Sequence, residues 1–552
     1  MVWAGWRKEY IKKLKQFALL FVILRSQDHY LANYFIIKLL QMPQIEKSDK
    51  NQPGDCLVNE KSFRKLLDEF SNSMKRAFHH EDKIDSFCST RGIPPAVLSE
   101  LMSGNPLSLC IPKQYGGFGG NVKENIAFIS AASYESLALS LTLGINNGLF
   151  IQPFAKYGNE KVKSKIFGQF LHEQRMGGLM ITEPGFGSDA LNMQTSFTEK
   201  DGFFHLKGKK HWAGLTGMAD LWILTARKRA VHGDLMRDID MFVCDVNAPR
   251  QKIVVEEFFE NLGLYQIPYG RNSIDVYIPE EQRLIPHTTG IQMLLDMLHR
   301  SRFQFPGMGL GFIKRILDEA LSHATSRSIA NKSLLSYDQV QHRLTRLQAN
   351  FTICSAFCLR SGEIAEIENN LSSLGLEANI IKSVTSDIMQ ESAQSLLQLF
   401  GARGYQLNSI AGRSVVDSRP FQIFEGSNDI LYHQIADSAM KLMKAAKEHS
   451  FYGFLKGYTT RAADRVKELV SFNLNYGFSQ RKLVELGQII SRIVSMDHVL
   501  YLGEKGFRKD LTENTLIVLK QEISTLLNTF HFENNSKAIV DYNENSYWLD
   551  FS

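Results

Sequence analysis

Phe421-Gln-Ile-Phe-Glu-Gly-Ser-Asn-Asp-Ile430 sets one carboxylate, Glu425, among apolar neighbours and against Gly426. A carboxylate so placed loses hydration, its proton affinity rises, and it becomes a base strong enough to take a proton from carbon. Upstream, Ile181-Thr-Glu-Pro-Gly-Phe-Gly-Ser-Asp189 supplies a companion, a turn whose glycines and proline leave backbone N–H groups and the Thr182 and Ser188 hydroxyls open to a ligand. Taken singly, each stretch reads as an ordinary loop or turn. What raises them is the arrangement of the chain between and around them.

From about Glu60 to Gln174 the apolar residues follow a helical period, as in Phe63, Leu66, Leu67 and Phe70, with breaks at Gly92-Ile-Pro-Pro95 and Ile111-Pro-Lys-Gln-Tyr-Gly-Gly117. From Met176 to about Ile285 the period becomes that of strands: Phe203 to Leu206, Leu221 to Thr225, Met241 to Val246, Ile253 to Val255 and Ile274 to Ile278. After Gly290 the helical spacing returns in Leu310, Ile313, Ile316, Leu317 and Ala320, then in Leu344, Leu347, Phe351 and Cys354. Long antiparallel helices are the natural packing for that pattern. Beyond about Met440 further stripes run through Leu483, Leu486, Ile489, Ile490 and Ile493, then Leu516, Leu519, Ile523 and Leu526. The expected fold is mainly α with a central β domain. Its expected divisions are an extension over 1–56, a helical domain over 57–175, a β domain over 176–285, a helical bundle over 286–440 and an additional helical region over 441–552.

At 552 residues and 44% hydrophobic content the chain has material for roughly two to four packed units. Its formal charge is +5, and residues 1–41 alone carry seven Lys/Arg against Glu9 and Asp28, which is also +5. The body is therefore neutral, without the clustered cations that a nucleic-acid surface needs, and that class is set aside. The six cysteines (Cys56, Cys88, Cys110, Cys244, Cys354, Cys358) are scattered and read as reduced, buried thiols in an intracellular compartment; no metal site is expected. Phe17 to Leu24 follows basic residues as a signal-peptide core does, yet Arg25 ends it, no small-residue cleavage site follows, and it is too short to span a bilayer. Two readings stand: a basic amphipathic segment giving peripheral membrane contact, or an upstream in-frame stretch with Met42 as the start, the second being favoured.

Ile181 to Asp189, the strand pair around Trp212, the Arg327 segment, Gln398-Leu-Phe-Gly-Ala-Arg-Gly404 and Phe421 to Ile430 occur in the order found in acyl-CoA dehydrogenases. The chain resembles that family from about Glu60 to Met440, and several separated motifs in order are far more specific than any one. The resemblance implies an N-terminal helical domain, a middle β-barrel domain and a C-terminal four-helix domain, with FAD held between them and across a subunit interface. It implies that Thr182 and Ser188 meet the flavin with Gly187 in the same turn, that Leu179 and Ile181 line it, and that Trp212, followed by Gly214, covers one ring face. Arg327 matches the arginine that reaches the FAD pyrophosphate of a neighbouring subunit, so a homodimer or tetramer is implied. Gln398, Gly401 and Ala402 match the turn that receives the adenosine-diphosphate part, and Ser427 and Asp429 follow where the family also touches FAD. Arg302 corresponds to the residue along the CoA moiety, with Ser188 and Gly426 also on the substrate side.

By the same resemblance Glu425 is the base that removes a proton from C2 of an acyl-CoA while C3 passes a hydride to flavin N5. Some members carry the base on the helix before the CoA-contacting arginine, but here that stretch reads Asp296-Met-Leu-His-Arg-Ser-Arg302, without glutamate. The implied reaction is dehydrogenation to trans-2-enoyl-CoA in fatty-acid β-oxidation, with electrons leaving to an electron-transfer flavoprotein; a fatty acyl group is the favoured substrate, a steroid or amino-acid-derived one being left open. The implied compartment is cytoplasmic, or the mitochondrial matrix in a eukaryote. Three positions depart from the pattern: Gly214 where Thr or Ser is usual, Ile329 where Thr is common and Asp429 where Gln is common. Each alters a polar contact worth roughly 0.5 to 1.5 kcal/mol net. Two rivals stand beside the leading reading: an acyl-CoA oxidase using oxygen, and a non-catalytic relative that binds acyl-CoA or a partner protein. Helices near Leu98 to Leu101 and Leu141 to Phe150 are expected to line the acyl pocket, with Gly144 and Gly148 leaving room for a long tail or equally serving helix packing or a break.

Overall fold

The computed structural model describes residues 63–79 and 91–552, apart from 407, 476, 534 and 535. The basic N-terminal stretch, the Met42 reading, Cys56 and Cys88 lie outside the described residues. The first helical layer comprises α1 (Phe63–His79), α2 (Pro95–Ser103), α3 (Val122–Glu135), α4 (Leu137–Gly144), α5 (Gln152–Tyr157) and α6 (Glu160–Glu173), with a π-helical turn, Ile145–Ile151, between α4 and α5. The apolar stripe read from the sequence is the packed face of α1: Phe70 stacks on Phe128 of α3 at 4.6 Å between centroids. A capping box starts α3, Asn121 N–H donating to the Glu124 carboxylate at 2.9 Å, which satisfies donors that a helix start leaves open.

The chain then enters a sheet of β1 (Gly177–Met180), β2 (Ser196–Lys200), β3 (Phe203–Gly214), β4 (Leu221–Lys228), β5 (Asp240–Asp245), β6 (Ile253–Phe258) and β7 (Tyr269–Pro279). The strand order is β1-β4-β2-β3-β7-β6, with β5 on the other edge of β4. β1 and β2 run parallel to β4, and the remaining pairs are antiparallel. β7 alternates buried and solvent-facing residues along its length, the two-residue period of a half-covered strand. The register of β3 against β7 shifts between His211 and Ala213, so that Trp212 is a bulge residue with φ 56°. A bulge re-aims a side chain, and this one turns the indole out of the sheet, 52% exposed.

The second helical layer comprises α7 (Gly290–Arg302), α8 (Phe305–Ser326), α9 (Asp338–Ile364), α10 (Gly375–Phe400), α11 (Ile410–Ser418) and α12 (Asn428–Ala446); a short hairpin of Ser328–Ile329 with Lys332–Ser333 follows α8. Close approach of α8 to α3 depends on Gly311, where a Cβ would stand 1.9 Å from the Ser130 carbonyl oxygen. α12 runs unbroken past residue 440. It is followed by α13 (Phe451–Tyr458), α14 (Lys467–Val470), α15 (Gln480–Glu504) and α16 (Lys509–His531). The predicted stripes Leu486, Ile489, Ile490, Ile493, Leu519 and Ile523 are buried, so these helices pack on the bundle as part of one core. Among the described residues no helix is long and apolar enough to cross a membrane. Cys110, Cys244, Cys354 and Cys358 are free thiols whose pKa values burial pushes up.

Candidate active site

Two clamps fix α7. At its start the Asp238 carboxylate accepts from the backbone N–H groups of Gly290 and Ile291 at 3.0 and 2.9 Å, and the Thr289 hydroxyl accepts from Gln292 N–H. In its last turns, buried Asp296 accepts from Lys156 Nζ at 3.1 Å, Tyr157 Oη at 2.9 Å and Leu371 N–H at 2.6 Å. Arg300, also buried, donates to the carbonyls of Ala365, Glu366 and Asn369. With those charges satisfied, the adjoining Ser301 and Arg302 face the loop before α12.

That loop holds Glu425 at φ 54° and Gly426 at φ 97°, two successive left-handed residues. A side chain pays a steric cost there, roughly 1 to 3 kcal/mol, and such conformations persist where the surroundings impose them. Here Arg302 Nη2 donates to the Glu425 carbonyl at 2.8 Å, Arg302 Nη1 to Asn379 Oδ1 at 2.6 Å, and Lys382 Nζ to the Gly426 carbonyl at 2.8 Å. The Ser301 hydroxyl donates to Glu425 Oε1 at 2.7 Å, while Oε2 is buried and has no hydrogen-bond partner. Burial raises the Glu425 pKa above its ordinary value, and Ser301, Arg302 and Lys382 offset part of the rise. Burial also lowers Lys382 to about 7 and His299 to about 4.

Glu425 opens into a cavity of about 420 Å³. Its walls are the 179–191 turn, the bulged end of β3 with Tyr269 beside it, one face of α7 (Ile291, Leu294, Leu295, Leu298), and Leu141, Ile145 and Leu149 from the helix ahead. The chemistry of this set fits a flat aromatic ring: an uncovered indole at Trp212, apolar Leu179 and Ile181, the Thr182 and Ser188 hydroxyls, and open space around Gly187. Backbone holds the turn to β3, His211 N–H donating to the Thr182 carbonyl at 2.8 Å.

Of the residues singled out in the sequence, Leu179, Ile181, Thr182, Gly187, Ser188, Trp212, Gly214, Arg302, Glu425 and Gly426 line this one cavity. Arg327, Gln398, Gly401 and Ala402 lie outside it, exposed. They gather at one end of the bundle, where His323 on α8 stacks on Phe400 at 4.4 Å. Ser427 precedes the first residue of α12 and Asp429 is exposed, and neither reaches the cavity wall. Ser301 and Lys382 are functional candidates that the motif reading passed over. Ser301 adjoins Arg302 in the Asp296 to Arg302 stretch, and Lys382 is legible as a lone cation amid Ile380, Ile381 and Val384.

The glycines expected to lengthen the pocket do not open onto it. A Cβ on Gly144 would meet Met308 Cε at 2.7 Å and one on Gly148 the Gln304 amide at 3.1 Å, so both serve helix packing. Leu98 and Leu101 are core residues, not cavity walls. Gly214 has a physical reason: a Cβ there would stand 2.9 Å from Ile145 Cδ1. Gly214→Thr is accordingly expected to lower stability by about 1 to 3 kcal/mol through overpacking. Ile145→Ala in the same chain should recover part of it, as read by thermal melting of the single and double variants.

Three family models cover most of the chain: acyl-CoA dehydrogenase, N-terminal domain, over residues 59–174; middle domain, over 178–276; and C-terminal domain, over 288–440. The chain belongs to the acyl-CoA dehydrogenase family of FAD-dependent oxidoreductases. It is 25% identical over 377 residues to an acyl-CoA dehydrogenase of Bacillus subtilis (strain 168), covering 67% of this chain and 94% of that one. To the mitochondrial very long-chain specific acyl-CoA dehydrogenase of Rattus norvegicus it is 24% identical over 399 residues, 70% of this chain and 59% of the relative's length. The solved acyl-CoA dehydrogenase of Bacillus anthracis complexed with FAD shares the fold at a TM-score of 0.68 and 18% identity, over 86% of this chain and 88% of that one.

Proposed function

We propose that the chain converts an acyl-CoA thioester to the trans-2-enoyl-CoA, with Glu425 as the base. The observation that carries this is the unpartnered, buried Oε2 of a carboxylate whose other oxygen and whose backbone carbonyl are both held. The thioester lies with C2 toward Oε2 and its carbonyl oxygen toward the Glu425 backbone N–H, a preorganised donor for the charge that builds as the C2 proton leaves. That proton goes to Glu425, a double bond forms between C2 and C3, and the hydride from C3 leaves the substrate. FAD, when bound, supplies the hydride acceptor. Thr182, Ser188, Gly187, Leu179, Ile181 and Trp212 would hold and cover its ring. Leu141, Ile145, Leu149 and the leucines of α7 surround the acyl group and exclude water, and Arg302 and Ser188 lie toward the CoA portion.

Arg327, Gln398, Gly401 and Ala402, remote from this chain's own cavity, serve the cofactor of a second subunit, so the active form is a homo-oligomer. Ser427 and Asp429, just after the base, would also touch FAD. Electrons pass to an electron-transfer flavoprotein. The deciding experiment is anaerobic addition of acyl-CoA to the yellow protein: loss of the flavin absorbance supports the proposal. Colourless protein that FAD does not reconstitute would overturn it in favour of a binding role. Oxygen access separates a dehydrogenase from an oxidase, and turnover in air against turnover with an artificial electron acceptor reads the difference.

Only the carboxylate form of Glu425 accepts a proton, so the reduction rate falls as pH drops through its pKa. Because burial raises that value above 4.5, the acid limb of the profile is expected to centre above pH 4.5. A rate flat down to pH 4.5 would contradict it.

A further inference from the structure

The C-terminal family model ends at residue 440, and no step above uses the helices beyond α12. Yet a run of buried and half-buried polar side chains begins among those helices and ends at the Glu425 turn. On α15, Arg492 Nε pairs with Glu522 Oε2 of α16 at 2.8 Å, and Glu522 Oε1 in turn receives Arg346 of α9 at 2.9 Å. The Arg492 charge acts on both Tyr432 and Asp387, while its Nη1 is buried without a hydrogen-bond partner. Tyr432, 1% exposed, donates from its hydroxyl to Asp387 Oδ2 at 2.6 Å. Asp387 Oδ1 accepts from Asn428 Nδ2 at 2.6 Å and from Gln422 Nε2 at 2.7 Å. Asn428 Oδ1 accepts from Lys382 Nζ at 2.9 Å, and Lys382 also grips the Gly426 carbonyl. α15 is pressed onto this run, since a Cβ on Gly487 would stand 2.0 Å from the Tyr432 carbonyl oxygen.

Each link constrains the next. Asp387 accepts from the Asn428 NH2, which fixes the amide with its oxygen toward Lys382; a flipped amide would set two donors against each other. Lys382 so aimed holds one carbonyl of the left-handed turn as Arg302 holds the other. Asp387 is kept in register by the Tyr432 hydroxyl, with the Arg492 charge close enough to act on both. We infer that Arg492, acting through Tyr432 and Asp387, is a positioning residue for Glu425, so that the helices after α12 brace the catalytic turn. This rests on the reading of Glu425 as the base.

The test compares Arg492→Met, Arg492→Lys and Tyr432→Phe in the FAD-loaded full chain, with Arg461→Ala, a surface ion pair with Glu504 in the same helical region, as control. The readouts are FAD content, melting temperature, Kd for an enoyl-CoA and the anaerobic rate of flavin reduction. Arg492→Met and Tyr432→Phe are expected to slow reduction about two- to thirtyfold, with Kd and FAD content held and Arg492→Lys recovering most of the rate. Combined with Lys382→Met, Arg492→Met should add less than its separate effect, because both act on one run. Arg461→Ala should leave the rate alone. Wild-type reduction rates in Tyr432→Phe and in folded Arg492→Met overturn the inference, as does a loss that only parallels FAD release and melting. If Arg492→Met does not fold, Tyr432→Phe, which removes one hydroxyl, decides alone. A wild-type rate in Glu425→Gln instead sinks the underlying assignment of the base.

Discussion

Glu425→Gln is expected to give a folded, FAD-binding protein that binds acyl-CoA and leaves its flavin oxidised. The amide has the size of the carboxylate and accepts from Ser301 as Glu425 does, so the turn and the cavity stay as they are. What it lacks is an oxygen able to take the C2 proton. A positioned base contributes about a hundredfold to ten-thousandfold, and the rate of anaerobic flavin reduction should fall by that order. Binding should not fall, since the contacts toward the CoA portion are untouched. A stopped-flow trace at wild-type speed would place the base on another side chain. A colourless product would show that Glu425 matters for cofactor retention instead.

The second large effect concerns stability. Lys210 and Glu183, 0% and 4% exposed, form an ion pair of 2.9 Å inside the β domain. Lys210 Nζ also donates to the Ile181 carbonyl at 3.1 Å and to Thr225 Oγ1 at 3.0 Å. Glu183 accepts from the backbone N–H groups of Gln194 and Thr195. Burial raises the Glu183 pKa, but the Lys210 charge and these hydrogen bonds outweigh it and hold the carboxyl below its ordinary value. Burial lowers Lys210 to about 8 against the pull of Glu183. The two directions agree on an ionised pair at neutral pH. Lys210→Met leaves the carboxylate buried and uncompensated, at a cost of about 3 to 5 kcal/mol. Lys210→Met with Glu183→Gln should recover much of that, as read by denaturant unfolding. Equal stability of single and double variants would show that the charge is not what costs. Glu183 lies between Ile181–Thr182 and the glycines of the ligand turn, so the single variant should also lose FAD.

The layers of the fold were legible because periodicity reports burial. The stripe from Phe63 to Phe70 became the packed face of α1, and the alternation of Ile274 to Ile278 became the half-covered face of β7. Strands β1 and β2 escaped notice because Gly177–Met180 is four residues long and Ser196–Lys200 is mostly polar. The cavity wall was legible from motifs spread over the chain, since Thr182, Trp212, Arg302 and Glu425 converge on it. Partners joined by tertiary packing were not. Nothing along the chain couples Ser301 to Glu425 or Arg492 to Tyr432. In sequence Gly214 reads as a missing hydroxyl, whereas in the fold Ile145 occupies the space.

The orientation of Gly144 and Gly148 also bears on how substrate range shifts within this scaffold. Leu141, Ile145 and Leu149 line the cavity, and the bare positions at Gly144 and Gly148 on the same stretch are already taken by Met308 and Gln304. Neither glycine therefore leaves a side-chain gap through which the cavity could extend. Enlarging the chamber from this stretch would begin by trimming Leu141, Ile145 and Leu149, whereas mutating the glycines would only disturb how helices nest.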